Sequence, residues 1–450
     1  MTRPLPRVLS VFMLLAVLLT TFPSRAAALT DPTLQSTAAY LLDPATGMVL
    51  YQKNADEKRY PASTTKVMTA LVTLDKVKNL DEKVTVTQED FTGVQADSSK
   101  AGFVVGEEVP IIDLLYGLLL PSGNEAANTL ARHVGGSIEG FVKLMNERAQ
   151  QLGCTNTHFA NPNGLHNADH YTTAHDLALI ASEAMKNETF ALIADTAQKT
   201  LSPTNKLAEH GGKPLKVFTT NMLIFSRNDP NYYSYAKGIK TGHTSEAGYC
   251  LVSTAERRGS SLIAVVLGTP KPAGASQPLS FAESKTLYEW GFSNFDTRTL
   301  IEKGTTTEEI PIRLSTDADH IVPQVGQTLQ AIVPKDIDLT KLVMTKHLPE
   351  DLCAPVNAGQ VIGTMDVSYN GVKYGTVDLV AMQNVSLSKV LYYADKLNNF
   401  FRSTLFKLIV AALALLLIIY ILYIVILGRR RRKRRDRMMR SKQTRYRRYK

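Results

Sequence analysis

Cysteine is scarce in this chain. Only Cys154, Cys250 and Cys353 occur among 450 residues, and no Cys-x-x-Cys pair is formed, which excludes a zinc knuckle and a disulfide-stapled scaffold. Whether the three are buried thiols or one pair is bridged stays open at the level of sequence. A glycine-rich phosphate loop is missing too: Gly211-Gly212 lies in a polar loop, and Gly135-Gly136 reads as a helix break. His-Glu-x-x-His, the signature of a helical zinc site, is also lacking. His170 and His175 are spaced too widely in HYTTAHD and read as structural or surface histidines. No cofactor and no metal is implied, and no internal repeat is present. Uncharged apolar runs of about fifteen residues or more are confined to the two ends.

Apolar and charged fractions of 44% and 20% are ordinary for a globular protein, so a packed core is expected rather than disorder. The formal net charge of +10 is misleading until it is located. Residues 429–450 hold fourteen Lys/Arg against one Asp, and the first 28 residues hold three Arg and no acid. A tail of +13 and a leader of +3 exceed the total, so residues 29–428 carry −6. The folded body is mildly acidic.

Both ends read as addresses. Arg3 and Arg7 precede the apolar run VLSVFMLLAVLLTTF, followed by Pro23 and the small residues Ala26-Ala27-Ala28. This order is that of a cleaved secretory signal, residues 1–28, and the Ala-x-Ala site favours cleavage over a retained anchor. At the other end, Leu408 to Leu427 is uncharged for twenty residues, about 30 Å of helix and the thickness of a hydrocarbon core. A buried core helix would need something to cover it, and only the basic block 428–450 follows. Under the positive-inside rule that block stays cytoplasmic, which puts the body outside, held by one membrane helix at 408–427. Arginines with Tyr446 and Tyr449 could bind nucleic acid, but their position against a membrane span favours anionic lipid headgroups, and no nucleic-acid partner is expected.

Between these ends the chain changes texture once. In AAYLLDPATGMVLYQKN, two apolar stretches flank the turn residues Asp43 to Gly47, a hairpin signal. Val67, Ala70, Leu71 and Leu74 follow helical spacing, as do Ile138, Phe141, Val142 and Met145 ahead of Gly153. Residues 111–120 are strongly apolar and stop at Pro121-Ser122-Gly123. YCLVSTAERRGSSLIAVVLGT reads as two β runs about Gly259, and SFAESKTLYEWGFSNF as a closing helix. Strands at both ends with helices between predict an α/β or α+β domain over 29–296. Residues 297–385 turn to short β runs, with Asn370-Gly371 as a hairpin signal, and predict a smaller all-β domain. Residues 386–407 form a juxtamembrane segment of unassigned type.

Three polar clusters in the first domain carry chemistry. They are Ser63-Thr64-Thr65-Lys66, Ser122-Gly123-Asn124 and Lys240-Thr241-Gly242. A serine and a lysine at i, i+3 share a helical face. The hydroxyl needs a base, and a lysine becomes one only when burial or a second cation strips its proton. Lys240 supplies that cation if the fold brings it close. Ser122 can relay a proton, and Asn124 can bond both Lys66 and a substrate amide. Lys240 and Thr241 suit a carboxylate, and Gly242 clears a strand edge for a ligand. Singly, each cluster is equally a helix cap, a helix start or a strand turn. Together, in this order in one exported domain, they form the set shared by penicillin-binding proteins and class A β-lactamases, with Ser-Gly-Asn here in place of Ser-Asp-Asn.

On these clusters, with ANPNGLH at 160–166, YTTAHDLA at 171–178 and KGIKTGHTSEAG at 237–248, the chain resembles the low-molecular-mass penicillin-binding proteins, serine-type D-Ala-D-Ala carboxypeptidases. The resemblance implies a β-lactamase-like sheet flanked by helices, with a second β domain. It implies Ser63 as nucleophile, Lys66 as base, Ser122 and Asn124 on the opposite wall, and Lys240 and Thr241 on the terminal carboxylate of the peptidoglycan stem peptide. The backbone N–H groups of Ser63 and His243 would form the oxyanion hole, and β-lactams would acylate Ser63. Two departures stand out. Many relatives lie on the membrane through an amphipathic helix, whereas this chain has a span, and some carry an arginine where Thr220 precedes Asn221. A β-lactamase would need a fast deacylation base in a dedicated loop, and Glu125 and Glu246 lie in no such context. A non-catalytic wall-binding protein would not need all three clusters intact.

Overall fold

The structure, a computed structural model, describes residues 30–349 and 351–446, with side chains to 439. The expected signal, 1–28, lies outside the described residues. Two compact units are present: residues through Arg298 together with Gln330–Leu339, and Thr299–Leu329 together with Thr340 onward.

The first unit is built on one antiparallel sheet. Its strands are β1 (Ala38–Leu42), β2 (Val49–Lys53), β3 (Ala236–Thr244), β4 (Gly248–Arg257) and β5 (Ser260–Thr269), ordered β2-β1-β5-β4-β3. The sheet is covered on both faces, as alternation shows. Ala38, Tyr40 and Leu42 of β1 join one core cluster with Ile263, Val265 and Leu267 of β5. Ala39 and Leu41 join the other with Leu262, Ala264 and Val266. Successive side chains of a strand point to opposite faces, so an all-apolar strand marks a sheet buried twice.

One face carries α1 (Lys66–Lys76), α2 (Ile111–Leu119), α3 (Asn124–Gly135), α4 (Ile138–Gln151), α5 (Ala174–Met185) and α6 (Glu188–Ala194); the other carries α7 (Ser280–Asn294). Local chemistry sets the helix starts. Ser137, Thr173 and Asn187 accept from the N–H groups of Gly140, Asp176 and Phe190 and cap α4, α5 and α6. Helix α1 is buried from Lys66 to Thr73, as a helix threaded through a core must be. Strand β3 is left at the sheet edge.

The second unit holds a four-stranded antiparallel sheet of β6 (Pro323–Val325), β7 (Val343–His347), β8 (Val361–Tyr369) and β9 (Val372–Ala381), ordered β6-β9-β8-β7. The hairpin at Asn370-Gly371 forms where its sequence places it. The segment left unassigned by sequence is helical. Ser388 caps α8 (Lys389–Arg402), which runs on after Ser403 into α9 (Thr404–Tyr446). No residue of α8 is buried, and Val390, Leu397, Phe400 and Phe401 are exposed. Helix α9 is long and apolar enough to cross a membrane. All three cysteines are free, which closes the question that spacing left open.

Candidate active site

Residues Ala62–Thr65 form a single 3-10 turn that passes directly into α1 at Lys66. Two hydroxyls tie it down: Thr64 Oγ1 donates to Pro61 O at 2.6 Å and Thr65 Oγ1 to Ala62 O at 2.8 Å. His170 Nδ1 accepts from Ala160 N at 3.0 Å, so Nε2 carries the proton and meets Thr65 Oγ1 at 2.7 Å. Burial first, then nearby His158, His166 and Lys66, hold that imidazole low at about 3, so it stays neutral. His170 is thus a structural histidine beneath the turn, and His175 pairs with Asp56 at the surface.

Lys66 is fully buried, a costly place for an ammonium. Its Nζ lies 3.1 Å from Ser63 Oγ, 2.7 Å from Asn124 Oδ1 and 2.6 Å from Asn163 O. A neutral amine has two N–H groups and one lone pair. Asn124 Oδ1 and the Asn163 carbonyl oxygen can only accept, so they take the two N–H groups, and the lone pair is left for the Ser63 hydroxyl. The surroundings favour that form. Burial pushes Lys66 well below its ordinary value, Lys240 adds to the shift, and Glu125 opposes it.

Asn163 is itself fixed, donating to Asn128 Oδ1 at 3.0 Å and accepting from Leu165 N at 3.0 Å. The next residue, Gly164, has φ +83, and a Cβ there would fall 1.9 Å from Ala62 O. No other residue fits between the two loops. The ANPNG stretch therefore supplies a lysine acceptor, a role that its sequence does not announce, because the contact is made by a backbone carbonyl.

Asn124 opens α3, and Ser122 just before it has φ +69. The Ser122 hydroxyl is buried and has no partner among the described residues. The neighbouring loop is pinned to this segment. Asn124 N donates to Ser99 O at 3.0 Å, and Glu125 Oε1 accepts from Ala101 N at 2.6 Å and Gly102 N at 2.8 Å. Burial raises the Glu125 pKa. The carboxylate serves as a loop clamp.

Edge strand β3 closes the other side. A Cβ at Gly242 would lie 3.0 Å from Pro61 O, Ser63 N and Thr64 N, so the strand backbone passes directly over the serine turn. Lys240 is buried, donates to Thr241 O at 3.0 Å, and is lowered by desolvation to about 7. Thr241 Oγ1 and Thr220 Oγ1 share a hydrogen bond of 2.6 Å, so the residue that departs from the arginine of some relatives contributes a hydroxyl instead. His243 stacks on Tyr249 with ring centres 4.1 Å apart.

Six of the residues singled out by sequence, Ser63, Ser122, Asn124, Thr241, Gly242 and His243, line one cleft of about 350 Å³. Lys66 and Lys240 are packed behind its wall. A hydroxyl facing a dehydrated amine, an asparagine, and a cation with hydroxyls on a strand edge make a site for acyl transfer from a substrate ending in a carboxylate.

The comparisons with known proteins agree with that chemistry. The family model for D-alanyl-D-alanine carboxypeptidase matches residues 25–271, and the model for the penicillin-binding protein 5 C-terminal domain matches residues 295–386. The D-alanyl-D-alanine carboxypeptidase DacC of Escherichia coli (strain K12) is 35% identical over 363 residues, 79% of this chain and 85% of its own. Penicillin binding protein 5 from Haemophilus influenzae superposes with a TM-score of 0.65 at 31% identity, covering 79% of this chain and 99% of that one. The Streptomyces K15 DD-transpeptidase matches with a TM-score of 0.52 at 38% identity, over 59% of this chain and 99% of that one. The chain belongs to the serine-type D-alanyl-D-alanine carboxypeptidase family, the low-molecular-mass penicillin-binding proteins.

Proposed function

We propose that the chain is exported, stays attached to the membrane, and removes the terminal D-alanine from peptidoglycan stem peptides through an ester at Ser63. The observation that carries this reading is the Ser63–Lys66 contact of 3.1 Å, with the amine otherwise bonded only to oxygens that accept. Lys66 takes the hydroxyl proton as Ser63 Oγ attacks the carbonyl carbon. The oxyanion is held by the N–H groups of Ser63 and His243. The C–N bond then breaks, and the proton held on Lys66 passes to the departing amine, with Ser122 on its path. Water next cleaves the ester, activated by the same amine. Lys240 and the Thr241–Thr220 hydroxyl pair hold the terminal carboxylate, and Asn124 orients the substrate amide while fixing Lys66. β-Lactams would acylate the same serine and leave slowly.

In this reading residues 1–28 are removed on export, 29–296 form the catalytic domain and 297–385 the β domain. Residues 386–407 lead into the span at 408–427, and 428–450 remain in the cytoplasm. The length and hydropathy of α9 support the span, and the exposed apolar side chains of α8 suit the membrane interface just outside it. The deciding experiment incubates the full chain in detergent with a blocked peptide ending in D-Ala-D-Ala and assays free D-alanine, with Ser63→Ala as control. Release from wild type alone is expected, with a stoichiometric penicillin adduct on Ser63 by peptide mass. Sustained penicillin hydrolysis would make the protein a β-lactamase, and no D-alanine release would refute the reaction.

A further inference from the structure

Helix α3 buries amides where a helix serving only to pack would bury apolar groups. Asn124, Asn128 and Arg132 recur every four residues and so share one face, while Ala127, Leu130 and Ala131 of the same helix enter the apolar core. Both asparagines are buried. Asn124 meets Lys66 directly; Asn128 instead stands between two loops. Its Nδ2 donates to Asp90 O at 2.9 Å, and its Oδ1 accepts from Asn163 Nδ2 at 3.0 Å.

The two ends of this chain of bonds fix the orientation of both amides. Asp90 O can only accept, so Asn128 must offer it Nδ2 and present Oδ1 to Asn163. Leu165 N can only donate, so Asn163 must offer it Oδ1 and present Nδ2 to Asn128. The two requirements agree. The outer end is held as firmly. Arg132 Nε and Nη2 donate to the two Asp90 carboxylate oxygens at 2.8 and 2.9 Å, and Thr87 N donates to Oδ2 at 2.8 Å. A forked pair of this kind fixes direction as well as distance.

Asn163 meets Lys66 through its backbone carbonyl, 2.6 Å from Nζ, and its side chain is the handle that aims that carbonyl. Were the carbonyl to swing away, a neutral amine would have a spare N–H to offer Ser63 Oγ. Its lone pair would then turn from the hydroxyl whose proton it must take.

We propose that Asn128 is a positioning residue for the steps in which Lys66 moves a proton: it aims the Asn163 carbonyl at Lys66, and the Arg132–Asp90 pair holds Asn128 in turn. Helix α3 then places both acceptors of the amine, one directly through Asn124 and one through Asn128. This rests on Lys66 acting as the base of a D-alanine-releasing enzyme.

The test reads kcat and KM for D-alanine release from the full chain in detergent, with the melting temperature alongside. Asn128→Ala and Asn163→Ala break the same side-chain bond from either side and leave the backbone carbonyl in the chain. Each is expected to lower kcat about tenfold, the size of one misdirected hydrogen bond, with KM within about twofold of wild type. The double variant is expected to fall no further than Asn163→Ala alone, since both changes remove one contact. Asn146→Ala supplies the structural comparison, because Asn146 exchanges two bonds of 2.8 Å with the Phe159 backbone earlier in the same loop. It should lower the melting temperature and leave kcat within about twofold. An unchanged kcat in Asn163→Ala, a double variant that multiplies the two losses, or an equal fall in Asn146→Ala would overturn the positioning role. Release by wild type decides the underlying reaction separately: where it occurs, those outcomes bear on Asn128 alone, and its absence removes both.

Discussion

The two units handle charge in opposite ways. In the first, every buried polar or charged side chain among the described residues falls between Ser36 and Ser284, with two lysines among them. In the second no polar or charged side chain is buried among the described residues, and its ion pairs are exposed or half-buried: Arg313 lies between Asp351 at 2.6 Å and Asp395 at 2.5 Å, and Asp366 between Lys373 at 2.8 Å and His347 at 3.1 Å. Burying a charge costs several kcal/mol unless it is paired or neutralised, whereas an exposed pair contributes little. A domain selected only to fold has no reason to carry the first pattern. Two of the six orphaned buried atoms among the described residues, Ser122 Oγ and Glu125 Oε2, belong to the segment that walls the cleft, and a catalytic role is one reason a native structure leaves such a group unpaired.

That contrast breaks most easily at Lys66. Lys66→Ala removes the proposed base and leaves Asn124 Oδ1 and Asn163 O without their donor. D-alanine release should fall by about 10³-fold, within the range for a lost general base, and the melting temperature should drop by several degrees. A variant that melts as wild type yet releases no D-alanine would locate the whole effect in catalysis.

Gly242→Ala comes next. Its Cβ would meet three backbone atoms of the serine turn at 3.0 Å, so the strand must shift outward. A displacement of that kind costs about 10²-fold in kcat/KM, with β-lactam acylation slowed in parallel. An unimpaired Gly242→Ala would mean that the strand and the turn are not held in fixed register.

The two lysines set a sharper test in pH. In the proposed mechanism Lys66 acts as a neutral base, so kcat/KM should rise as pH rises through its depressed pKa. The proposed carboxylate contact uses a charged Lys240, so kcat/KM should fall again as pH passes about 7, where burial has brought that amine. Lys240→Arg keeps its charge over the whole range. The falling limb should then vanish while the rising limb stays. Persistence of the fall in Lys240→Arg would assign it to another group.

The smallest effect belongs to the second unit. Arg313→Ala deletes two exposed ion pairs and should leave D-alanine release unchanged and the melting curve close to wild type. A large loss in either would mean that the β unit is not the indifferent neighbour its surface charges imply.

Much of this was legible in the chain. Ser63 and Lys66 are three residues apart within one turn, so their contact is local and the sequence suffices to anticipate it. The Asn370-Gly371 pair marked its hairpin because those two residues suit the tight turn, and period 3.6 marked α4 because a helix buries one face. Helix α8 went unassigned, since none of its residues is buried and its Phe400 and Phe401 rings meet only each other and Phe406 of α9 among the described rings, so no core marks its face. Asn163 and Gly164 were quoted as a motif but assigned no work, because a backbone carbonyl and a missing Cβ leave no signature in side-chain chemistry.

Local chemistry alone settled which residues could react and which stretches would coil, pair or turn, since capping, periodicity and neighbouring side chains act over a few positions. Only the folded chain decided that Asn163 O, Asn124 Oδ1 and Ser63 Oγ converge on one amine, that Lys240 stands near enough to depress it, and that Thr220 answers Thr241. Those partners lie 58 to 97 residues from Lys66 along the chain for the asparagines, and dehydration of an amine is a property of everything packed around it.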